Sequence, residues 1–250
     1  MRMRLRQFRP RTGPVEHRVV QPWHPPRHTA LTDPAAYGFL VGDHAGLSTL
    51  AGMFSFAACS RRTIVHVPLR GGVPLREEGY LEACGGRVDL VLIHHSLGLR
   101  ASAWPGLRRR LTGGVPLTVR TDEARTARDA DAWWKRYGRA ESRDRLRPVG
   151  HARTLILVGS RGTFSFAATQ LAWAAGQGPC QKGVVKGHMA LVESLTPLLH
   201  PGDGWRGPEL DIAFAAYPPY THFRRPGRPQ HPDRPASPTP AAAASRAARR

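Results

Sequence analysis

Two adjacent imidazoles and a hydroxyl close an apolar run at His94, His95 and Ser96. Imidazole exchanges a proton near neutral pH, which makes the histidines candidate acid–base groups, and with Ser96 at the same strand end they are the candidate catalytic residues. Neighbours on a strand point to opposite faces, which would set one of the two histidines against the core and the other in solvent. A second polar cluster follows Phe39-Leu40-Val41. Its residues Gly42, Asp43, Gly46 and Ser48 form a glycine-bearing turn entering a helix, where free backbone N–H groups suit an anion. Gly159-Ser160-Arg161-Gly162 repeats that form. A third cluster, Tyr217-Pro218-Pro219-Tyr220, sets two aromatic rings about a proline pair. The three cysteines (Cys59, Cys84, Cys180) are far apart and odd in number, so neither a disulfide framework nor a zinc knuckle is expected, and no metal site is assigned. The chain carries no GKS/GKT phosphate loop, HExxH, GxSxG elbow or YxxxK pair.

The elements that must position these groups alternate along the chain. Strands are expected over 37–41, 63–67, 88–93, 115–119, 154–158 and 211–215. Helices are expected over 47–58, 76–83, 104–111, 121–137, 164–175 and 187–199. Short glycine turns join them. That order predicts an α/β fold, a three-layer Rossmann-like domain with a mostly parallel sheet. Ligands in such folds sit beyond the carboxyl ends of the strands, where all three polar clusters fall.

The 250 residues carry a formal charge of +19, with 34 Arg against 3 Lys and no Asn. Seven arginines lie in residues 1–30 and seven in 221–250, among many prolines. The expected organisation is a disordered basic, Pro-rich arm over 1–34, the α/β domain over 35–220 and a disordered Pro/Ala/Arg-rich tail over 221–250. Exposed guanidinium groups attract phosphate, so DNA or RNA is the expected partner of these tails. A GC-rich genome would also enrich arginine without any partner. No apolar run has the length of a membrane span and no signal peptide is evident, which predicts a cytoplasmic protein; the oligomeric state is not legible. One internal echo stands out. Gly52-Met53-Phe54-Ser55-Phe56-Ala57-Ala58 and Gly162-Thr163-Phe164-Ser165-Phe166-Ala167-Ala168 agree at six of seven positions. Each follows a Leu-Val-Gly strand end, but at different spacing, which favours similar packing demands on two helices over a duplicated half-domain.

The stretch Val88-Asp89-Leu90-Val91-Leu92-Ile93-His94-His95-Ser96, with Leu107 to Leu111, Gly113-Gly114 and Val115 to Val119 after it, resembles the class I S-adenosylmethionine-dependent methyltransferases. In that family an "FDLV" strand and a helix closing on "LRPGG" recur, and Gly42 to Ser48 would stand at its cofactor loop. The resemblance implies S-adenosylmethionine as cofactor, held by Gly42, Asp43, Gly46 and Ser48, with His94 to Ser96 facing the transferred methyl. Asp211 to Tyr220 is similar to the "NPPY" segment of amino-methylating DNA methyltransferases, which implies a substrate-binding role for Tyr217, Pro218, Pro219 and Tyr220. His44 replaces the family's middle glycine, Val67-Pro68-Leu69 lacks its ribose-binding acid, and Tyr217 replaces its polar residue; these departures describe a degenerate relative. Two other readings stay open. One is a non-enzymatic DNA- or RNA-associated protein using its arginine-rich tails. The other is a hydrolase or nucleotide-sensing domain using Asp43, His44, His94 and His95 as acid–base groups.

Overall fold

The computed structural model describes residues 1–33, 38–137, 143–199 and 208–223. Thirteen strands appear among them: β1 (Arg2–Phe8), β2 (Arg11–Thr12), β3 (Val15–Glu16), β4 (Arg18–Pro22), β5 (Thr29–Leu31), β6 (Gly38–Gly42), β7 (Thr63–Val67), β8 (Asp89–His94), β9 (Val115–Arg120), β10 (Arg147–Gly150), β11 (Thr154–Gly159), β12 (Ala190–Ser194) and β13 (Leu210–Phe214). The α-helices are α1 (His44–Cys59), α2 (Glu78–Ala83), α3 (Trp104–Arg109), α4 (Glu123–Tyr137), α5 (Arg161–Gln177), α6 (Lys182–Val185) and α7 (Thr196–Leu199).

The class is α/β, as the alternation of elements predicted, but the sheets are mixed rather than mostly parallel. One has seven strands in the order β10-β11-β8-β7-β4-β1-β9, and the other four in the order β12-β13-β6-β5. Parallel pairing is confined to β11–β8, β13–β6 and β4–β7. Helices α1 and α5 lie between the two sheets. The nine residues Leu50 to Ala58 of α1 are all buried, as expected of a helix enclosed on every side. The main core draws on the inner faces of both sheets, for example Leu90, Leu92 and Leu157 from one and Leu40, Ile212 and Phe214 from the other. Outside the large sheet, Trp104 and Leu107 of α3 cover Ile64, Val91, Ile93 and Ile156. Outside the small sheet, Leu81 of α2 covers Phe39, Val41 and Ala213. The layers therefore number five, not three.

Three further expectations change. Residues 1–33, expected as a disordered arm, supply β1 to β5, with β1 and β4 paired on both sides inside the large sheet. The strand at 115–119, expected within a mostly parallel sheet, is β9, an edge strand antiparallel to β1. The helix expected over 187–199 is α7 preceded by the edge strand β12, antiparallel to β13. The expected C-terminal tail lies outside the described residues from 224 onward.

The topology contains a repeat. In the first half β5 pairs antiparallel with β6, α1 crosses over, and β7 pairs antiparallel with β8. In the second, β10 pairs with β11, α5 crosses over, and β12 pairs with β13. The halves are interlocked: β6 lies parallel to β13 of the other half, and β11 parallel to β8. Helices α1 and α5 run antiparallel, since His44 at the start of one hydrogen-bonds Ala175 O at the end of the other (3.0 Å). In this register Gly42 matches Gly159, and the N-cap Asp43 matches the N-cap Ser160. The seven-residue echo is displaced from that match by about two helical turns. The echo is thus a shared packing solution, while the fold itself is duplicated.

Candidate nucleic-acid interface

The strand-end clusters come first. Gly42 to Ser48 and Tyr217 to Tyr220 meet at one end of the small sheet. Ala215 N–H donates to Gly42 O (3.0 Å), Asp43 N–H donates to His28 O (3.3 Å), and the Tyr217 ring stacks on His28 with centroids 3.4 Å apart. His94, His95 and Ser96 lie instead at the end of β8 in the large sheet, beside the start of α5, because His94 is in register with Gly159. The antiparallel pair α1 and α5 separates these two ends. A helix of 16 residues is about 24 Å long at about 1.5 Å per residue. The methyltransferase arrangement, with His94 to Ser96 facing a cofactor held at Gly42 to Ser48, is therefore not assembled.

Local packing accounts for each cluster. Asp43 caps α1 by accepting from Gly46 N–H (2.7 Å). A Cβ on Gly46 would lie 1.9 Å from Thr29 Oγ1, so glycine stands there because a threonine fills the space. The glycine is thus accounted for by packing, without a cofactor. Ser48 lines a slot of about 390 Å³ between α1 and α5, with His44, Ala51, Ala168, Thr169 and Ala172. At the other end, His94 Nδ1 accepts from Ser96 N–H (3.2 Å) and lies 2.8 Å from Ser96 Oγ, so the hydroxyl donates to it. Burial, then the charges of His95 and Arg61, lower the pKa of His94 below the usual histidine value. The imidazole is neutral at pH 7, with its proton on Nε2. This pair could pass a proton, but Ser96 is exposed and the contact caps a single turn of 3-10 helix over 95–97.

The feature that the sequence clusters did not include is the outer face of the large sheet. Along β1 exposure alternates: Met3 and Leu5 enter the core while Arg2, Arg4 and Arg6 stand outward. The ladder to β9 sets Arg2 opposite Arg120, Arg4 opposite Thr118 and Arg6 opposite Pro116. The ladder to β4 sets Arg6 opposite Gln21. Beyond β4, Trp23 lies beneath the guanidinium groups of Arg4 and Arg6, 4.2 and 4.7 Å from its ring centroid. Alternate residues on one strand face are about 6.8 Å apart, so β1 presents a row of three evenly spaced cations. The ion pairs found among the described residues include none to Arg2, Arg4, Arg6 or Arg120. The carboxylates nearest in sequence are already engaged: Asp122 accepts from Arg125 N–H (2.9 Å), and Glu123 pairs with the Met1 ammonium (2.8 Å).

Between this open half and the half covered by α3 runs a buried polar network. Asp89 accepts from the backbone N–H groups of Leu69 (3.0 Å) and Arg70 (3.1 Å), from Arg70 Nε (2.9 Å) and from an Arg108 guanidinium nitrogen (3.3 Å). Burial opposes ionisation of its carboxyl, but neighbouring His66, the Arg70 N–H and the Arg70 charge outweigh it and lower the pKa to about 2. His66 lies 3.8 Å from Asp89 Oδ2 and 2.7 Å from Gln21 Nε2. Burial lowers the pKa of His66 below the ordinary value, despite the pull of Asp89, and it stays neutral. Gln21 Nε2 therefore donates to His66 Nδ1, which links the network to the arginine row through the Arg6–Gln21 register.

The fold and this face define an α/β protein of two interlocked, mixed sheets with a basic, aromatic-bearing sheet surface. No family model, curated protein or solved structure matches the chain. Among the described residues, no helix is long and apolar enough to cross a membrane. Nor do they contain a group of three or more metal-ligating side chains that could hold an ion.

Proposed function

We propose that the protein binds nucleic acid through the outer face of β9, β1 and β4, with Arg2, Arg4, Arg6 and Arg120 on phosphates. The observation that carries this is the direct opposition of Arg2 and Arg120 across the β1–β9 ladder, in line with Arg4 and Arg6. Like charges directly opposite each other destabilise a sheet, and a bound polyanion reverses the sign of that term. Guanidinium is also the side chain best suited to phosphate, through its planar fork of donors. The basic surface is thus part of the folded sheet, in place of the flexible arm expected over 1–34.

The test is fluorescence anisotropy with labelled oligonucleotides over a salt series. Four phosphate contacts at about 0.7 counterion each predict a slope of log K against log salt near −3 for a single strand. Replacing Arg2, Arg4 and Arg6 together by serine should bring the slope to about −1 and cost tens of fold in affinity at low salt, while circular dichroism stays unchanged. A slope unchanged by the triple substitution would place the binding elsewhere and refute this assignment.

A further inference from the structure

The row of arginines ends in a cavity. A pocket of about 410 Å³ opens where β4 leaves the sheet, bounded by Arg2, Arg4, Leu5, Pro22, Trp23 and His24, with Met1, Met3, Thr49 and Met53 behind them. Arg2 and Arg4 belong both to this wall and to the cationic row. The remaining lining is apolar or aromatic, apart from His24 and the Thr49 hydroxyl. That hydroxyl donates to Ala45 O (2.8 Å), one turn back on α1. His24 packs edge-on to Trp23, with centroids 6.4 Å apart, and is otherwise exposed. A cavity whose wall joins apolar and aromatic residues to two arginines is complementary to a nucleotide, a flat ring attached to a phosphate.

Resting on the nucleic-acid reading above, we infer that this cavity holds one unpaired base of a single strand whose backbone follows β1. The spacing agrees. Arg2, Arg4 and Arg6 recur about every 6.8 Å, and an extended, unstacked strand spaces its phosphates roughly twice as widely as the 3.4 Å rise of a stacked one. A paired base is committed to its partner and its stack and cannot enter; an unpaired one can. Recognition is then by shape and stacking, which tolerates sequence.

Two probes of about 12 nucleotides, within the site sizes of single-strand binders, separate the base from the backbone: oligo-dT and an abasic oligomer of the same length. The full chain should bind oligo-dT several-fold to a hundredfold more tightly than the abasic oligomer, the range expected of one stacked base. Thr49→Phe, which fills the cavity from α1, should abolish that preference and leave the abasic affinity and the salt slope unchanged. His24→Ala, on an exposed loop, should narrow the preference several-fold and serves if Thr49→Phe does not fold. Equal affinity for the two oligomers, or a preference for oligo-dT that survives both substitutions, overturns the base pocket. Tighter binding to duplex than to oligo-dT overturns it as well, while leaving the arginine face standing. Failure of both oligomers to bind refutes the arginine face itself.

Discussion

The outer face of the large sheet is finished in two opposite ways. Over β8 and β11 its outward residues are Val91, Ile93 and Ile156, and α3 lays Trp104 and Leu107 on them. Over β1 and β9 the same alternation puts out Arg2, Arg4, Arg6 and Arg120, which stay exposed among the described residues. The inner face is continuous beneath both halves, since Met3 and Leu5 share a core with Leu90 and Leu92. One half therefore contributes stability on both faces of its strands. The other does so on its inner face and keeps the outer one free. This division of labour means that substitutions on the two halves should read out in different experiments.

The covered half gives the largest expected effect. Trp104 is fully buried, and truncating such a ring costs about 3–5 kcal/mol. Trp104→Ala should lower the urea midpoint accordingly, while the folded fraction binds oligonucleotide with the wild-type affinity and salt slope. A parallel fall in affinity would show the halves to be coupled through Asp89, His66 and Gln21.

That network supplies the next effect, and its sign is fixed by the shifts. The Asp89 carboxyl is at about 2 in the fold against 3.8 unfolded. Its stabilisation is complete above the unfolded value and is lost as pH falls towards 2, an acid-limb loss of about 2 kcal/mol. His66 acts in the same direction: with its folded pKa lowered, the unfolded chain takes up the proton first, so stability falls as pH drops below about 6.5. Thermal unfolding from pH 7 to pH 2 should show both stages. Asp89→Asn should be less stable at neutral pH, because Arg70 and Arg108 lose their counter-charge, and should lack the lower stage. An unchanged acid limb in Asp89→Asn would remove Asp89 from the account.

How far this was legible in the sequence differs by element. The strand ends at Gly42 and Gly159, the two helices after them and the apolar run of β8 were legible because their signals are local: continuous β-branched and aliphatic stretches, glycine turns and apolar helical runs. The edge strand β12 was not, since Ala190–Ser194 becomes a strand only by pairing with β13, some twenty residues on. β1 was legible in principle. Its Met3 and Leu5 alternate with Arg2, Arg4 and Arg6 at the period of a half-buried strand, but the surrounding arginine and proline read as a disordered arm. Of the candidate site, the chemistry was visible and the assembly was not. Arg120 meets Arg2 through a ladder spanning more than a hundred residues, and His94 and Gly46 reach opposite ends of the helix pair through crossovers that no local pattern encodes. The duplication left little trace in residue identity: Leu-Val-Gly at 40–42 and 157–159, and small residues at Ser48/Ser165, Ala51/Ala168, Ala57/Ala174 and Ala58/Ala175.

The smallest expected effect sharpens the comparison most, because it separates charge from its placement. Trp23 lies beneath Arg4 and Arg6 without bearing charge itself. A guanidinium over an indole gains about 0.5–1 kcal/mol at an exposed site, which here restrains two long side chains before any ligand arrives. Trp23→Leu retains an apolar side chain and every cation but releases both arginines. The salt slope counts phosphates neutralised and should stay near its wild-type value of about −3. The affinity at fixed salt should fall about threefold to tenfold, since the entropy of ordering both side chains is then lost on binding. Stability should barely move, because Trp23 is only half-buried. The abasic oligomer reports this loss apart from any base contact in the neighbouring cavity. A shallower slope for that oligomer would mean that Trp23 holds the arginines in reach of phosphate, and a slope and affinity both unchanged would mean that the ring orders nothing that binding uses.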